Sequence, residues 1–377
     1  MLKNIQKINI RFLLIIVLFL PALFLKAENG EQKGNPESKT EKEKKFNAGE
    51  MIMEHIADAH EWHIITIGKT DIAIPLPVIL LDDGKLVIFS SGNFHHGTEP
   101  YKGYKLETEG ENKGKIVKVN DEGETIKEAV LPLDFSITKN TLTLFIVMII
   151  LCVVFISIAR RYTKHTNEAP RGLQSVLEFV IIFLRDDVVK PAIGEKKYER
   201  YMPYLLTLFF FIFFGNLLGL IPIFPGGANL TGNIAITMIL ALFTFTITTF
   251  SGNRNYWLHI INTPGVPWWL KFPLPLMPIV EIIGVITKPF VLMVRLFANI
   301  SAGHIIALGF FSLIFIFGEV NVGIGYGASV VSVFFTIFMG LLELLVAFLQ
   351  AYVFTLLSSL YFSMAIEEHE HHEEHAH

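Results

Sequence analysis

The chain has one cysteine, Cys152, set in an apolar run. It can form no internal disulfide, and cysteine usage says nothing about redox compartment. Charge is scarce. Asp, Glu, Lys and Arg make up 18% of the 377 residues, and the net charge is −4 at pH 7. No basic surplus marks a nucleic-acid footprint, so no nucleic acid is expected as partner. The sequence has no G-x-x-x-x-G-K-[ST] phosphate loop, and any nucleotide chemistry must lie in partners. Nor is there an internal repeat, which argues against a transporter built from duplicated halves.

What the chain has instead is apolar mass. Hydrophobic residues make up 52%, with 33 phenylalanines, and the mean hydropathy is +0.49. A soluble domain of this length carries more charge. The fold class expected is an all-α integral membrane protein with about five membrane helices, the last two long and steeply tilted. A small exported N-terminal extension with some β structure precedes them.

Residues 1–27 have the form of a signal peptide. Lys3, Lys7 and Arg11 precede "FLLIIVLFLPALFL", and Ala27 is the expected last residue removed. The alternative is a first membrane anchor, but the run is shorter than the ~20 residues a span needs. Residues 28–135 form the exported extension. "ENGEQKGNPESKTEKEKKFNAGE" reads as a flexible linker. Two strand-like runs follow, "WHIITI" and "KLVIFSS", with Asp83-Gly84 between them. Residues 136–366 form the membrane domain, and 367–377 a polar tail.

Spans are read at 141–159, 201–224 and 233–250, followed by long apolar segments at 276–317 and 328–365. The segment "GLQSVLEFVIIFLRDDVV" has helical apolar spacing and suits an interface helix. Orientation follows from Lys and Arg in the loops. Residues 160–200 carry nine of them, while 225–232 and 318–327 carry none. This puts loops 160–200 and 251–272 and the C-terminus in the cytoplasm, with the extension outside.

The polar residues in the long segments are ordered. Glu281, Lys288 and Arg295 are spaced by seven, so each drifts only ~20° around a helix. Asn299 lies ~40° from Arg295, and His304 about 180° from it. Ser329, Thr336, Glu343 and Gln350 are spaced by seven in the last segment. A charge inside an apolar run costs at least ~2.5 kcal/mol. Isolated Glu or Gln residues can merely bond a neighbouring helix, and a cation near a span end can snorkel. Ionisable groups gathered inside a membrane suggest an ion or proton path. Arginine stays charged where lysine can neutralise. It would lower the pKa of a passing carboxylate and make it release its proton.

Histidines recur in the extension, in "HIADAHEWH" and "NFHHG". His60 and His63 have the spacing of a one-face pair on a helix, a minor metal-binding reading. The histidine-rich tail reads as a solvated end. No cofactor and no metal are expected.

The motifs "NLLGLIP", "EIIGVITKPFVLMVRLFANISAGH" and "LLELLVAFLQAYVFTLLSSLYFSMAIEEH" resemble subunit a of F-type ATP synthase over roughly residues 135–369. The resemblance implies a stator protein that conducts H+ (or Na+) to a rotating c-subunit ring through two half-channels. It would work with a b-subunit peripheral stalk and, indirectly, a catalytic head, in a bacterial inner membrane, and would not be catalytic alone. By the same resemblance Arg295 matches the arginine facing the ring carboxylate, with Asn299 and Gln350 as polar neighbours. Glu281 matches a half-channel acid, and His304 and Glu343 a half-channel pair. Asn216 and Lys288 have supporting positions. Gly219 stands where some members have aspartate. The alternative reading is a stand-alone ion channel or secondary transporter, which would need a substrate cavity within this chain.

Overall fold

The computed structural model describes residues 47–67, 70–108, 110–120, 122–126, 129–164, 168–221, 224–261 and 276–367. The leader 1–27, the linker up to residue 46 and the histidine tail lie outside the described residues. The chain divides into two compact units, one holding residues 59–139 and the other 47–58 with 140–367.

The first unit is β-rich. Strands β1 (Glu61–Ile67) and β2 (Thr70–Pro75) pair antiparallel. Strands β3 (Pro77–Asp82), β4 (Lys85–Ser90) and β7 (Leu133–Asp134) form a sheet in the order β4-β3-β7, and β5 (Tyr104–Leu106) pairs with β6 (Ile116–Lys118). The Asp83-Gly84 turn joins β4 to "PVILLD", not to "WHIITI". The reason is the turn itself. Asp83 and Gly84 both have positive φ, 48° and 75°, which suits a two-residue hairpin and nothing longer. Val78, Leu80, Phe89, Phe94, Tyr104 and Ile116 make the core.

The second unit is helical. Helix α1 (Ala48–Ile56) precedes the long α2 (Lys139–Lys164) in its order. Helix α3 (Leu173–Phe183) runs on through a π-turn at Leu184–Val189 and buries Gln174, Leu177 and Leu184. Helices α4 (Tyr198–Leu220) and α5 (Ile234–Ser251) follow, then the short α6 (Arg254–Ile261). Asn233 caps α5 by accepting from the Ala235 amide at 2.9 Å. The two long segments are unbroken helices, α7 (Leu276–Val320) and α8 (Val322–Ile366), of 45 residues each. At 1.5 Å per residue each is roughly 67 Å long, about twice a bilayer core. Five helices (α2, α4, α5, α7 and α8) are long and apolar enough to cross a membrane. The second span ends earlier than read from sequence, with α4 stopping at Leu220 and Ile221 extended.

Helices α7 and α8 form an antiparallel hairpin closed by one residue, Asn321. A Cβ on Gly325 would lie 2.8 Å from the Gly318 Cα. Further along, Phe310 stacks on Phe335 at 5.0 Å. Further still, His304 meets Glu343. The seam therefore keeps its register over most of its length. Buried Leu292, Leu296 and Ile300 continue α7 into the unit's core with Phe209, Phe210 and Phe362. Phe155 of α2 packs edge-on against Phe210 at 4.8 Å.

Candidate functional site

Because α7 is continuous, the polar residues spaced by seven do share a side of it. Arg295 and Asn299 are exposed, among Val291, Val294, Ala298 and Ala302. Among the described residues Arg295 has no hydrogen bond or ion pair. Gln350 on α8 is half-buried.

His304 lies on the other side of α7, turned into the hairpin seam. Its Nδ1 is 2.6 Å from Oε1 of Glu343, with the side chains only 18% and 8% exposed. The contact is close but out of line for a direct hydrogen bond, and among the described residues Oε1 has no hydrogen-bonding partner. The sequence makes room for this carboxylate with a glycine. A Cβ on Gly303 would stand 2.9 Å from Glu343 Oε1 and 3.0 Å from its Cγ.

Around this pair lies a buried polar shell. Asn216 of α4 donates to the Ala347 carbonyl of α8 at 3.4 Å and accepts from the Thr231 hydroxyl. Asn229 accepts from the Gly232 amide, and its own Nδ2 is buried without a partner among the described residues. Ser301 of α7 donates to the Gly232 carbonyl at 3.4 Å. Gly219 faces the same place, since a Cβ there would lie 3.8 Å from His304 Nε2 and 3.1 Å from the Ala228 carbonyl. The loop between α4 and α5 thus brings polar side chains beside the pair. Buried polar side chains of this kind hold one another or water.

A second polar cluster lies earlier on α7. Glu281 is near enough to Lys288 and Tyr256 to act on both electrostatically. Burial, first, and the Glu281 charge push the Tyr256 hydroxyl up from its ordinary value. The Lys288 ammonium sits over the Tyr361 ring at 5.6 Å and 3.9 Å from Met364 Sδ. Thr244, Thr248, Tyr256, Lys288 and Tyr361 border a cavity of about 10 Å³. Tyr204 and Thr244 hydroxyls meet at 2.9 Å, and Thr244 reaches Ser358 at 3.4 Å.

Sequence reading missed Thr231, Asn229, Ser301, Gly303, Tyr204 and Thr244. One signal was available, because Thr237 and Thr244 repeat the spacing of seven in α5 and both are buried.

The histidines of the extension fall elsewhere. His60 precedes β1 and His63 lies within it, so they are not a pair on a helix. The run "EWHIITI" alternates as a strand, and strand pairing with β2 decides it. His60 Nε2 bonds Asp134 at 2.8 Å, and His96 Nδ1 meets Glu61 at 2.7 Å. Among the described residues no three His, Cys, Asp or Glu gather as a metal would need.

A family model described as ATP synthase A chain matches residues 141–363. The chain belongs to the ATP synthase A chain family. Asn216, Glu281, Lys288, Arg295, Asn299, His304, Glu343 and Gln350 all fall within the matched range. The chain is 43% identical over 251 residues to ATP synthase subunit a of Chloroherpeton thalassium, covering 65% of this chain and 70% of that one. It is 45% identical to ATP synthase subunit a 2 of Chlorobaculum tepidum, covering 64% and 66%. It is 42% identical to ATP synthase subunit a of Myxococcus xanthus, covering 65% and 78%. A second model, described as Domain of unknown function (DUF8433), matches residues 51–135. This member of the A chain family is a multi-pass membrane protein with a β-rich unit ahead of its membrane helices.

Proposed function

We propose that this chain is the proton-translocating stator subunit of an F-type ATP synthase and not an enzyme by itself. One observation carries the reading. Along α7 two polar clusters flank an exposed arginine that has no ion-pair partner among the described residues. Lys288 comes seven residues before Arg295 and His304 nine residues after it, roughly 10 and 14 Å along the axis. Each cluster is the core of one half-channel, and Arg295 divides them.

The ring supplies the missing counter-charge. A carboxylate on a passing c subunit, ~4 Å from Arg295 at an effective dielectric of ~20, gains about 4 kcal/mol from the cation. That corresponds to roughly three pKa units, enough to make the carboxylate release its proton. Beyond Arg295 the carboxylate is recharged through the His304–Glu343 pair. Glu343 takes a proton from water on one side and yields it to the imidazole, which passes it toward the ring from its other nitrogen. Asn299 and Gln350 orient water near the arginine. Glu281 and Lys288, with Tyr256, line the other path.

The nine Lys and Arg of residues 160–200 support a cytoplasmic loop there, with the C-terminus inside and the extension outside a bacterial inner membrane. The peripheral stalk and catalytic head complete the machine. The test is Arg295→Ala in the assembled complex. ATP-driven proton pumping should vanish while the subunit still inserts, and normal pumping would refute the role. The competing reading, a self-contained channel, is excluded if the purified chain reconstituted alone conducts no ions.

A further inference from the structure

The β-rich unit carries an apolar face that its own core does not use. An antiparallel sheet with one covered face alternates apolar and polar residues. The sheet β4-β3-β7 does not. Val78, Leu80 and Phe89 point into the core. Their neighbours, on the opposite face, are also apolar. The register pairs Ile79 with Ile88, and Leu81 with both Leu86 and Leu133. Phe135 extends that face, its amide bonding the Ile79 carbonyl at 2.9 Å. Four of the six side chains are open, with Leu86 61%, Ile88 56%, Leu133 61% and Phe135 62% exposed, and Ile79 and Leu81 are half-buried. Six apolar residues on one sheet face are more than the scattered surface hydrophobics of an ordinary domain, and such patches mark a protein or membrane contact.

The chain itself says which. Phe135 is four residues before Lys139, the first residue of α2. Four residues span at most roughly 13 Å. Helix α2 is long and apolar enough to cross a bilayer. Whatever direction the unit turns, the Leu133–Phe135 edge of this face stays tethered beside the start of a membrane helix. A water-soluble partner would not require an apolar face at that tether, whereas the headgroup and acyl boundary would. Aromatic and aliphatic side chains are the residues that enter that boundary.

We propose that the Ile79–Leu81–Leu86–Ile88–Leu133–Phe135 face rests on the lipid bilayer, making the extension a membrane-surface module. The face gives a function to a strand pattern that folding alone does not need, since the opposite face already holds the core.

The test is site-directed spin labelling of the full chain in proteoliposomes. Cys152 is replaced by alanine, and single cysteines are set at Ile88 on the face and at Asn112 in the turn that joins β5 to β6. Collision with dissolved oxygen and with a water-soluble nickel chelate is then measured at each. A label at 88 should collide with oxygen several-fold more than with nickel, relative to 112. Equal, water-like accessibility at both overturns the proposal. Protection of 88 from both agents also overturns it, because it means that a protein or a second copy covers the face. A second pair, Leu86→Lys with Ile88→Lys, should raise nickel collision at a cysteine replacing Leu133, and an unchanged value there counts against lipid contact.

Discussion

The Nδ1 atom of His304 lies 2.6 Å from Oε1 of Glu343, on two helices joined through Asn321 alone. The pair is an acid and a base in close contact, both largely buried in the seam. Replacing either partner should remove a proton-transfer step worth ~10²-fold or more. Glu343→Gln should therefore lower ATP-driven pumping by about that factor. The double exchange, His304→Glu with Glu343→His, restores an acid and an imidazole to the seam. It should pump better than either single variant. Pumping rates in inverted vesicles decide this, and a double variant no better than the singles would show that the order of the two groups matters.

Gly303 positions that carboxylate. A Cβ at this residue would approach Glu343 Oε1 to 2.9 Å, closer than unstrained contact allows. Gly303→Ala should displace the carboxylate and cost ~1–3 kcal/mol in overpacking. Gly309 lies six residues on in the same helix, and a Cβ there meets nothing within 4 Å. Gly309→Ala should leave pumping intact and gain helix stability of up to ~1 kcal/mol. Thermal unfolding and pumping of the two variants, measured side by side, separate a steric effect at Glu343 from a general helix effect.

Much of this was legible in the sequence. The spacing of Glu281, Lys288 and Arg295 survives into the structure because α7 has no break, even at Pro289. His304 and Arg295, nine residues apart, do point to opposite sides. What sequence spacing cannot supply is the third dimension. Asn229 and Thr231 look like ordinary turn residues, yet the loop that carries them folds in beside Asn216. Gly303 reads as one more small residue in a span until Glu343 is seen against it. In the extension, local alternation identified β4 and β1, but partner choice depends on turn geometry. Asp83-Gly84 belongs to the strand immediately before it, "PVILLD", whose unbroken apolar run hid its period.

The extension also has a pH signature. Burial works to raise the Asp134 carboxyl, but bonds from His60 and Ser136 outweigh it and hold Asp134 below its ordinary value. A depressed folded-state value means that this stability is present above the ordinary aspartate pKa of ~3.9 and is lost as pH falls through the folded value. Asp134→Asn should weaken protection of the β3 and β7 amides at pH 6. The difference from wild type should shrink below pH ~4. Hydrogen exchange on the full chain, corrected for intrinsic rate, measures it. A difference that stays constant down to pH 3 would mean that the carboxylate's charge is not what stabilises the strands.

Asn216 ties three elements around the His304–Glu343 pair together. It accepts from the Thr231 hydroxyl of the α4–α5 loop and donates to the Ala347 carbonyl of α8 at 3.4 Å. Asn216→Ala leaves the Thr231 hydroxyl without this partner in a buried place, a loss of ~1–3 kcal/mol. Removing the hydroxyl as well should relieve part of that loss, because an unpaired polar group is what makes the single variant unstable. The double variant Asn216→Ala with Thr231→Val should therefore be less unstable than the two single changes summed, by at least ~0.5 kcal/mol. Thermal unfolding of the four proteins in detergent gives the coupling. If the losses simply add, the bond between Asn216 and Thr231 does not hold the loop, and Asn216 acts through Ala347 of α8 alone.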